Sequence, residues 1–176
     1  MSIVMSKWIG LQGTACLVRE RETEVTARLP VGMVREMAAY GDGLTVAAEQ
    51  EIAARFDVCD LREIRDGGIW RTLWELGEDH DTGLTVDLHK ICVKQETIET
   101  CEIFGFNPYE LLSGGAVLMV TWQGEALTAA LLEAGIHAAV IGFITDSHDR
   151  IVIRHTTDGV KARYLNRPGV DEIEKI

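Results

Sequence analysis

The order of elements in its last third limits most what this chain can fold into. Residues 117–121 read as a strand, 124–134 as a helix stopped by Gly135, and 138–144 as a second strand. A parallel neighbour reached through a helix needs a crossover of about a dozen residues, so at least one β-α-β unit is predicted. Residues 151–155 follow as a further strand, and Asp146-Ser147-His148-Asp149 joins the two runs as a hairpin would, which makes the sheet mixed. Residues 160–165 add an edge strand.

Upstream, residues 2–9 read as a strand, and Gly10 and Gly13 hand over to a helical stretch at 14–29 with Thr14 as candidate cap. Pro30 stands where a helix can begin, and 31–40 carries Val34, Met37 and Ala38 on one side. Gly41-Asp42-Gly43 breaks that run. A short strand at 44–46 and an alanine-rich helix to residue 56 are expected next. After Asp66-Gly67-Gly68, Ile69, Leu73 and Leu76 repeat at helical spacing while Trp70 and Trp74 broaden the apolar stripe. Leu84, Val86 and Leu88 alternate with Thr85 and Asp87 as in a half-buried strand, and 95–104 is a helix ending at Gly105. With no repeat, no low-complexity tract and only three prolines, nothing marks a linker. Residues 1–176 are therefore expected to form one domain of α/β (α+β-like) class, a mixed β-sheet layered with helices.

Charge narrows the partners. With 17 Lys and Arg against 28 Asp and Glu, the net charge of -11 makes the mean surface repel nucleic acid, although a local basic patch could hold a small anion. No run of about 18 apolar residues exists and the start lacks a signal-peptide cleavage pattern, so no membrane partner and a cytoplasmic location are expected. Cys16, Cys59, Cys92 and Cys101 form no CxxC pair and read as reduced, small buried hydrophobes, with a metal or redox role as the other reading. The five histidines show no HExxH spacing, so no metal site is expected.

Three glycine features could carry chemistry. Arg62-Glu63-Ile64-Arg65-Asp66-Gly67-Gly68 precedes the Trp-containing helix: free N–H groups and the helix dipole attract an anion, glycines let it approach, and Arg62 and Arg65 supply charge. The plainer reading makes Asp66 an N-cap, the glycines a turn and the arginines solvated. Ile9-Gly10-Leu11-Gln12-Gly13-Thr14 suits a phosphate loop by position but lacks GxGxxG and the Walker Lys, and reads equally as a tight turn. Ser113-Gly114-Gly115 can bring N–H groups toward a ligand or serve simply as a loop. Glu63 is the candidate catalytic carboxylate, or else a salt-bridged surface acid. The acid pairs Glu78-Asp79 and Asp171-Glu172 read as solvated faces.

These features stand in a known order. Lys7-Trp8-Ile9-Gly10-Leu11-Gln12-Gly13-Thr14-Ala15, then Asp66-Gly67-Gly68 opening a helix, then Gly105-Phe106-Asn107-Pro108-Tyr109-Glu110-Leu111-Leu112-Ser113-Gly114-Gly115, then Ala134-Gly135-Ile136-His137-Ala138-Ala139-Val140-Ile141-Gly142 resemble the AIR synthase-related family, C-terminal domain. Its relatives include aminoimidazole ribonucleotide synthetase, selenophosphate synthetase, thiamine-phosphate kinase and the hydrogenase expression/formation protein, and the resemblance is closest to the hydrogenase-maturation branch. It implies the mixed α/β fold of the aminoimidazole ribonucleotide synthetase C-terminal domain, following an N-terminal ATP-binding domain that this chain lacks. Residues 1–12 resemble the interdomain strand and loop, so a truncated protein is expected. By the same resemblance the full-length protein uses ATP and Mg2+, held largely by the other domain, and forms a homodimer; none is expected bound to this domain alone.

The resemblance implies phosphate or cofactor contacts for Gly10, Gly13, Thr14, Arg62, Arg65, Asp66, Gly67, Gly68, Ser113 and Gly114, with Glu63 as base or acceptor of a metal-bound water. Two departures stand out. The family's His-Asp-Pro-Thr-x-Gly-Gly stretch keeps here an acid and the glycines but not the His and Thr. The hydrogenase-maturation proteins end in a cysteine carrying the group converted to nitrile, whereas this chain ends Asp171-Glu172-Ile173-Glu174-Lys175-Ile176. The expected function is the substrate side of an ATP-dependent protein that activates a carbonyl or amide oxygen of a small-molecule or protein-amide substrate by phosphorylation. The rival reading is a non-catalytic binding or assembly module with an eroded site.

Overall fold

The computed structural model describes residues 1–175. Its strands are β1 (Ser2–Ser6), β2 (Val58–Ile64), β3 (Gly83–Asp87), β4 (Ala116–Thr121), β5 (Ala138–Thr145), β6 (Arg150–Thr156) and β7 (Gly159–Tyr164). The helices are α1 (Leu11–Glu20), α2 (Glu22–Thr26), α3 (Val31–Ala38), α4 (Ala47–Ala53), α5 (Gly68–Asp79), α6 (Gln95–Phe104) and α7 (Gly124–Glu133), with short 3-10 turns at Leu88–Lys90, Pro108–Glu110 and Glu172–Lys175. The seven strands form one mixed sheet in the order β2-β4-β1-β5-β3-β6-β7, the α/β class expected.

The predicted crossover exists with one strand inserted, and the predicted hairpin does not form. β4 and β5 each pair antiparallel with β1, which lies between them, so they run parallel to one another and α7 crosses over one strand. The turn at residues 146–149 joins β5 to β6, yet they are not a hairpin: β3 sits between, antiparallel to β5 and parallel to β6. Gly83 permits this. A Cβ there would lie 2.4 Å from the Ser147 carbonyl oxygen and 2.5 Å from that of Asp149, so only glycine lets the turn close over the end of β3.

The period of two along β1 sorts the core into layers. Ile3 and Met5 face α5, whose Ile69, Trp70, Leu73 and Leu76 are buried with Ile64, Leu84, Val86 and Leu118. Val4 faces the other way, with Val117, Met119 and Val140 against Ile52 of α4 and Leu127 and Leu131 of α7. Each such aliphatic side chain taken fully from water contributes about 1.5–3 kcal/mol. Val18, Val25, Val34 and Met37 hold α1, α2 and α3 together as a separate cluster.

Several local expectations are corrected. β1 stops at Ser6 because Lys7 turns into the left-handed region at φ 57. Thr14 is not a cap: Gly10 is the N-cap of α1, and Thr14 lies buried inside the helix, donating its hydroxyl to the Gly10 carbonyl at 2.7 Å. The helical stretch beyond it breaks at Arg21. Residues 44–46 form no strand, since Leu44 is drawn against Gly115 instead. β2 was not expected as a strand at all; it is a sheet edge pairing only with β4.

Candidate functional site

The three glycine features meet at one rim, where β1 and β2 end and β4 begins. Gly10 enters α1 at φ 73, and its N–H donates to the Ser113 hydroxyl oxygen at 2.8 Å. Ser113 in turn donates its own N–H to the Arg65 carbonyl at 3.3 Å, and Gly13 donates to the Leu112 carbonyl at 2.9 Å. Gly67 enters α5 at φ 73, followed by Gly68 at φ 62. A Cβ on Gly68 would lie 2.4 Å from the Tyr109 carbonyl oxygen, and one on Gly13 would lie 2.4 Å from Leu111. These glycines let three turns pack backbone to backbone.

At the α5 N-terminus the Gly67 and Gly68 N–H groups, expected to be free, are already taken. The Asp171 carboxylate, fully buried, accepts from the Gly67 N–H and from the Leu112 and Ile173 N–H groups at 3.2 and 2.9 Å. Gly68 donates to the Arg65 carbonyl at 3.1 Å. The chain thus supplies its own anion to this dipole. Asp171 and Glu172 are buried, not the solvated pair expected, whereas Glu78 and Asp79 are exposed and pair with Arg150 and Arg62. Asp66 is no cap either; it pairs with Arg71 at 2.9 Å.

Beside the rim opens a cleft of about 530 Å³, walled by Glu63, Arg65, Asp66 and Gly114 and closed by Gln12, Leu112 and the loop carrying Gly41, Gly43 and Leu44. A Cβ on Gly114 would meet the Gln12 side-chain oxygen at 2.2 Å, so the wall here is bare backbone beside an amide. Among the expected site residues, Glu63, Arg65, Asp66 and Gly114 line this cleft. Gly10, Gly13, Thr14, Gly67, Gly68 and Ser113 do not line it, and Thr14 and Ser113 are fully buried. Arg62 is not brought there: successive β-strand residues face opposite sides, and its guanidinium turns away to Asp60 at 2.5 Å and Asp79 at 2.7 Å. The hydrogen bonds to Asp60 hold that guanidinium firmly charged despite partial burial.

Glu63 Oε1 accepts from the Gly115 N–H at 3.0 Å, and its Oε2 accepts from Arg65 Nε and Nη2 at 2.9 and 2.6 Å. Burial alone would push this carboxyl upward, but the Gly115 N–H, the Arg65 guanidinium and the Lys7 charge together hold it below the usual carboxylate range. Lys7 sits behind the cleft wall. Its ammonium donates to the Thr45 carbonyl at 2.6 Å and pairs with buried Glu49 at 2.7 Å. Gln12, Lys7 and the 41–45 loop were not singled out from sequence. Lys7 and Gln12 carry no signal of their own within the stretch from Lys7 to Ala15, and Gly41-Asp42-Gly43 has the local pattern of a helix stop alone.

Comparison with known proteins follows the same outline. The family described as AIR synthase related protein, C-terminal domain, matches residues 1–154. A Methanocaldococcus jannaschii protein named for hydrogenase expression/formation is 22% identical over 99% of this chain and 50% of its own length. The carbamoyl dehydratase HypE of Rhizobium leguminosarum bv. viciae is 26% identical over 90% of this chain and 44% of its own length. Escherichia coli HypE, a hydrogenase maturation protein, shares the fold at a TM-score of 0.73 with 20% identity, covering 97% of this chain and 51% of that one. A HypE solved in complex with ATP aligns at 0.67 and 20% identity over 98% and 52%. The chain spans about half the length of the curated relatives it matches.

Proposed function

The chain belongs to the AIR synthase related family, as its C-terminal domain, and on that premise we propose that it forms the substrate-side wall of an ATP-dependent enzyme that activates a carbonyl or amide oxygen by phosphorylation. The observation that carries this reading is the joining of the Gly10, Gly67 and Gly114 turns through Ser113, Arg65 and Leu112 beside a single open cleft. ATP, when bound, supplies the phosphoryl group that turns the substrate oxygen into a leaving group.

The residues fit an oxyanion at one place. Arg65, 71% exposed at the cleft mouth, can bring its guanidinium to charged oxygens there, while the space over Gly114 is taken by the Gln12 amide oxygen. Gln12 offers an amide to orient a carbonyl or carboxamide. Glu63 and Asp66 would repel a bare phosphate and suit one carrying Mg2+. Among the described residues, no group of three or more His, Cys, Asp or Glu could hold a metal. On the family resemblance we assign the metal and most of the nucleotide to an N-terminal ATP-binding domain, the partner we propose for residues 1–176 acting as one domain. Glu63, held ionised by Gly115 and Arg65, is a poor proton acceptor; its proposed role is a fixed acceptor for a metal-bound water or a substrate N–H. Arg62 has no part in the site.

The name of the Rhizobium relative points to a carbamoyl amide as the substrate class, small-molecule or protein-borne. A homodimer and a cytoplasmic, reducing setting complete the reading, the latter supported by four free cysteines. No helix among the described residues is long and apolar enough to cross a membrane. The test is a titration of ATP with Mg2+ into the chain together with the family's N-terminal ATP-binding domain, unmutated and as Arg65→Ala. Affinity at least about tenfold weaker in the variant is expected, and equal affinity removes Arg65 from the site.

A further inference from the structure

A second cavity, of about 500 Å³, lies where β6 and β7 pass the 3-10 turn at residues 88–90. Its floor is apolar, formed by Leu88 and Val152 beside the Ala162 backbone, and its walls carry Arg154, Lys161 and Arg163. No carboxylate lines it. Val152 belongs to the core layer under α5, so this cavity opens on the sheet face opposite to the one that Glu63 presents to the first cleft.

Three features of these cations demand an anion. The chain holds 28 acidic residues against 17 basic ones, yet among the described residues none of the three makes an ion pair or a side-chain hydrogen bond. Arg154 and Lys161 stand directly opposite each other in the β6–β7 register, an arrangement in which like charges repel across the ladder. Arg163 is held in place: its guanidinium lies 5.6 Å above the Trp70 ring, which stacks at 4.9 Å on Tyr109. Arg154, Lys161 and Arg163 thus set three exposed like charges along one wall, where an anion can meet them together. Lys161 and Arg163 lie beyond residues 1–154, outside the stretch shared with the family.

We propose that this cavity is a second binding site, taking a small phosphorylated ligand whose flat apolar body rests on Leu88 and Val152 while its phosphate is held by Arg154, Lys161 and Arg163. An apolar floor with a few convergent charged groups is the usual make-up of a small-ligand pocket, and the planar Arg forks suit phosphate oxygens. The site is independent of the first cleft.

Calorimetric titration with 1-naphthyl phosphate, 1-naphthol and inorganic phosphate tests it on the unmutated chain and on Lys161→Gln, Arg163→Gln and Arg65→Ala. 1-Naphthyl phosphate should bind more tightly than either fragment, lose at least about tenfold in Lys161→Gln and in Arg163→Gln, and be unaffected by Arg65→Ala. Because Lys161 is exposed and opposes Arg154, Lys161→Gln should keep or raise the urea midpoint of the unliganded chain, so its loss of affinity is not misfolding. Unchanged affinity in both β7 variants, equal binding of 1-naphthol, or no binding of 1-naphthyl phosphate overturns the proposal. A loss in Arg65→Ala alone would assign the ligand to the first cleft.

Discussion

The Gly10 N–H and the Ser113 hydroxyl oxygen stand 2.8 Å apart across 103 positions of sequence, and this one hydrogen bond ties the entry of α1 to the turn before β4. Ser113 is fully buried, and its hydroxyl donates onward to the Leu111 carbonyl at 2.6 Å. The first and third glycine turns are thereby one unit.

Ser113→Ala leaves the buried Gly10 N–H without an acceptor. Such a group costs about 1–3 kcal/mol, so the urea unfolding free energy should fall by that amount with the m-value unchanged. An unchanged midpoint would show that the two turns are not coupled through this residue.

Gly68 and Gly32 should respond to alanine in opposite directions. Gly68 has φ 62 and no room beside the Tyr109 carbonyl, so Gly68→Ala should destabilise by about 2 kcal/mol or more. Gly32 lies within α3 with nothing inside 4 Å of a built Cβ, so Gly32→Ala should stabilise by about 0.5–1 kcal/mol. Thermal melts of the two variants read this directly.

Much of this architecture could be read in the sequence where a local pattern repeats. The Ile69, Leu73 and Leu76 spacing marks α5, Gly105 marks the end of α6, and the runs at β4 and β5 are apolar up to a closing threonine. β2 escaped because an edge strand with charged Asp60, Arg62 and Glu63 on both faces carries no apolar alternation. The insertion of β3 between β5 and β6 is a long-range choice that no local signal records. Asp171 escaped for the same reason: its partner Gly67 lies 104 positions away, and an Asp-Glu pair near a chain end resembles a solvated face. The glycines of the cleft were legible as turns. Which N–H groups stayed free was not, because that depended on the distant carboxylate.

Glu63 and Asp60 should make stability fall in acid. In both, burial pushes the carboxyl up but is outweighed: by the Gly115 N–H and Arg65 for Glu63, and by Arg62 and His80 for Asp60. A carboxyl held below its unfolded value contributes stability that is fully present above that value and lost as pH drops through the folded one. The loss should therefore begin below about pH 4.5. Glu63→Gln and Asp60→Asn should each flatten the stability profile below about pH 4.5, and an unaltered slope would contradict the assigned contacts.

Cysteine labelling should follow burial. Cys59 is exposed, while burial, aided by the Glu172 charge, pushes the Cys101 thiol up to about 12. At pH 8 a thiol reagent should modify Cys59 promptly and Cys101 only after denaturant is added, as peptide mass mapping would show. Early modification of Cys101 would mean that the packing of Leu17, Cys101 and Leu111 is looser than described.

The central claim is that the separate glycine turns make one ligand-bearing rim. The most direct measurement is a residue-resolved 1H–15N NMR titration of ATP and Mg2+ into the labelled chain together with the family's N-terminal ATP-binding domain. The amides of Gln12, Arg65, Asp66 and Gly114 should shift together along one binding curve, with those of α7 unmoved. Shifts that fail to include Gly114 and Arg65 on a common curve, or none at the rim at all, would contradict it.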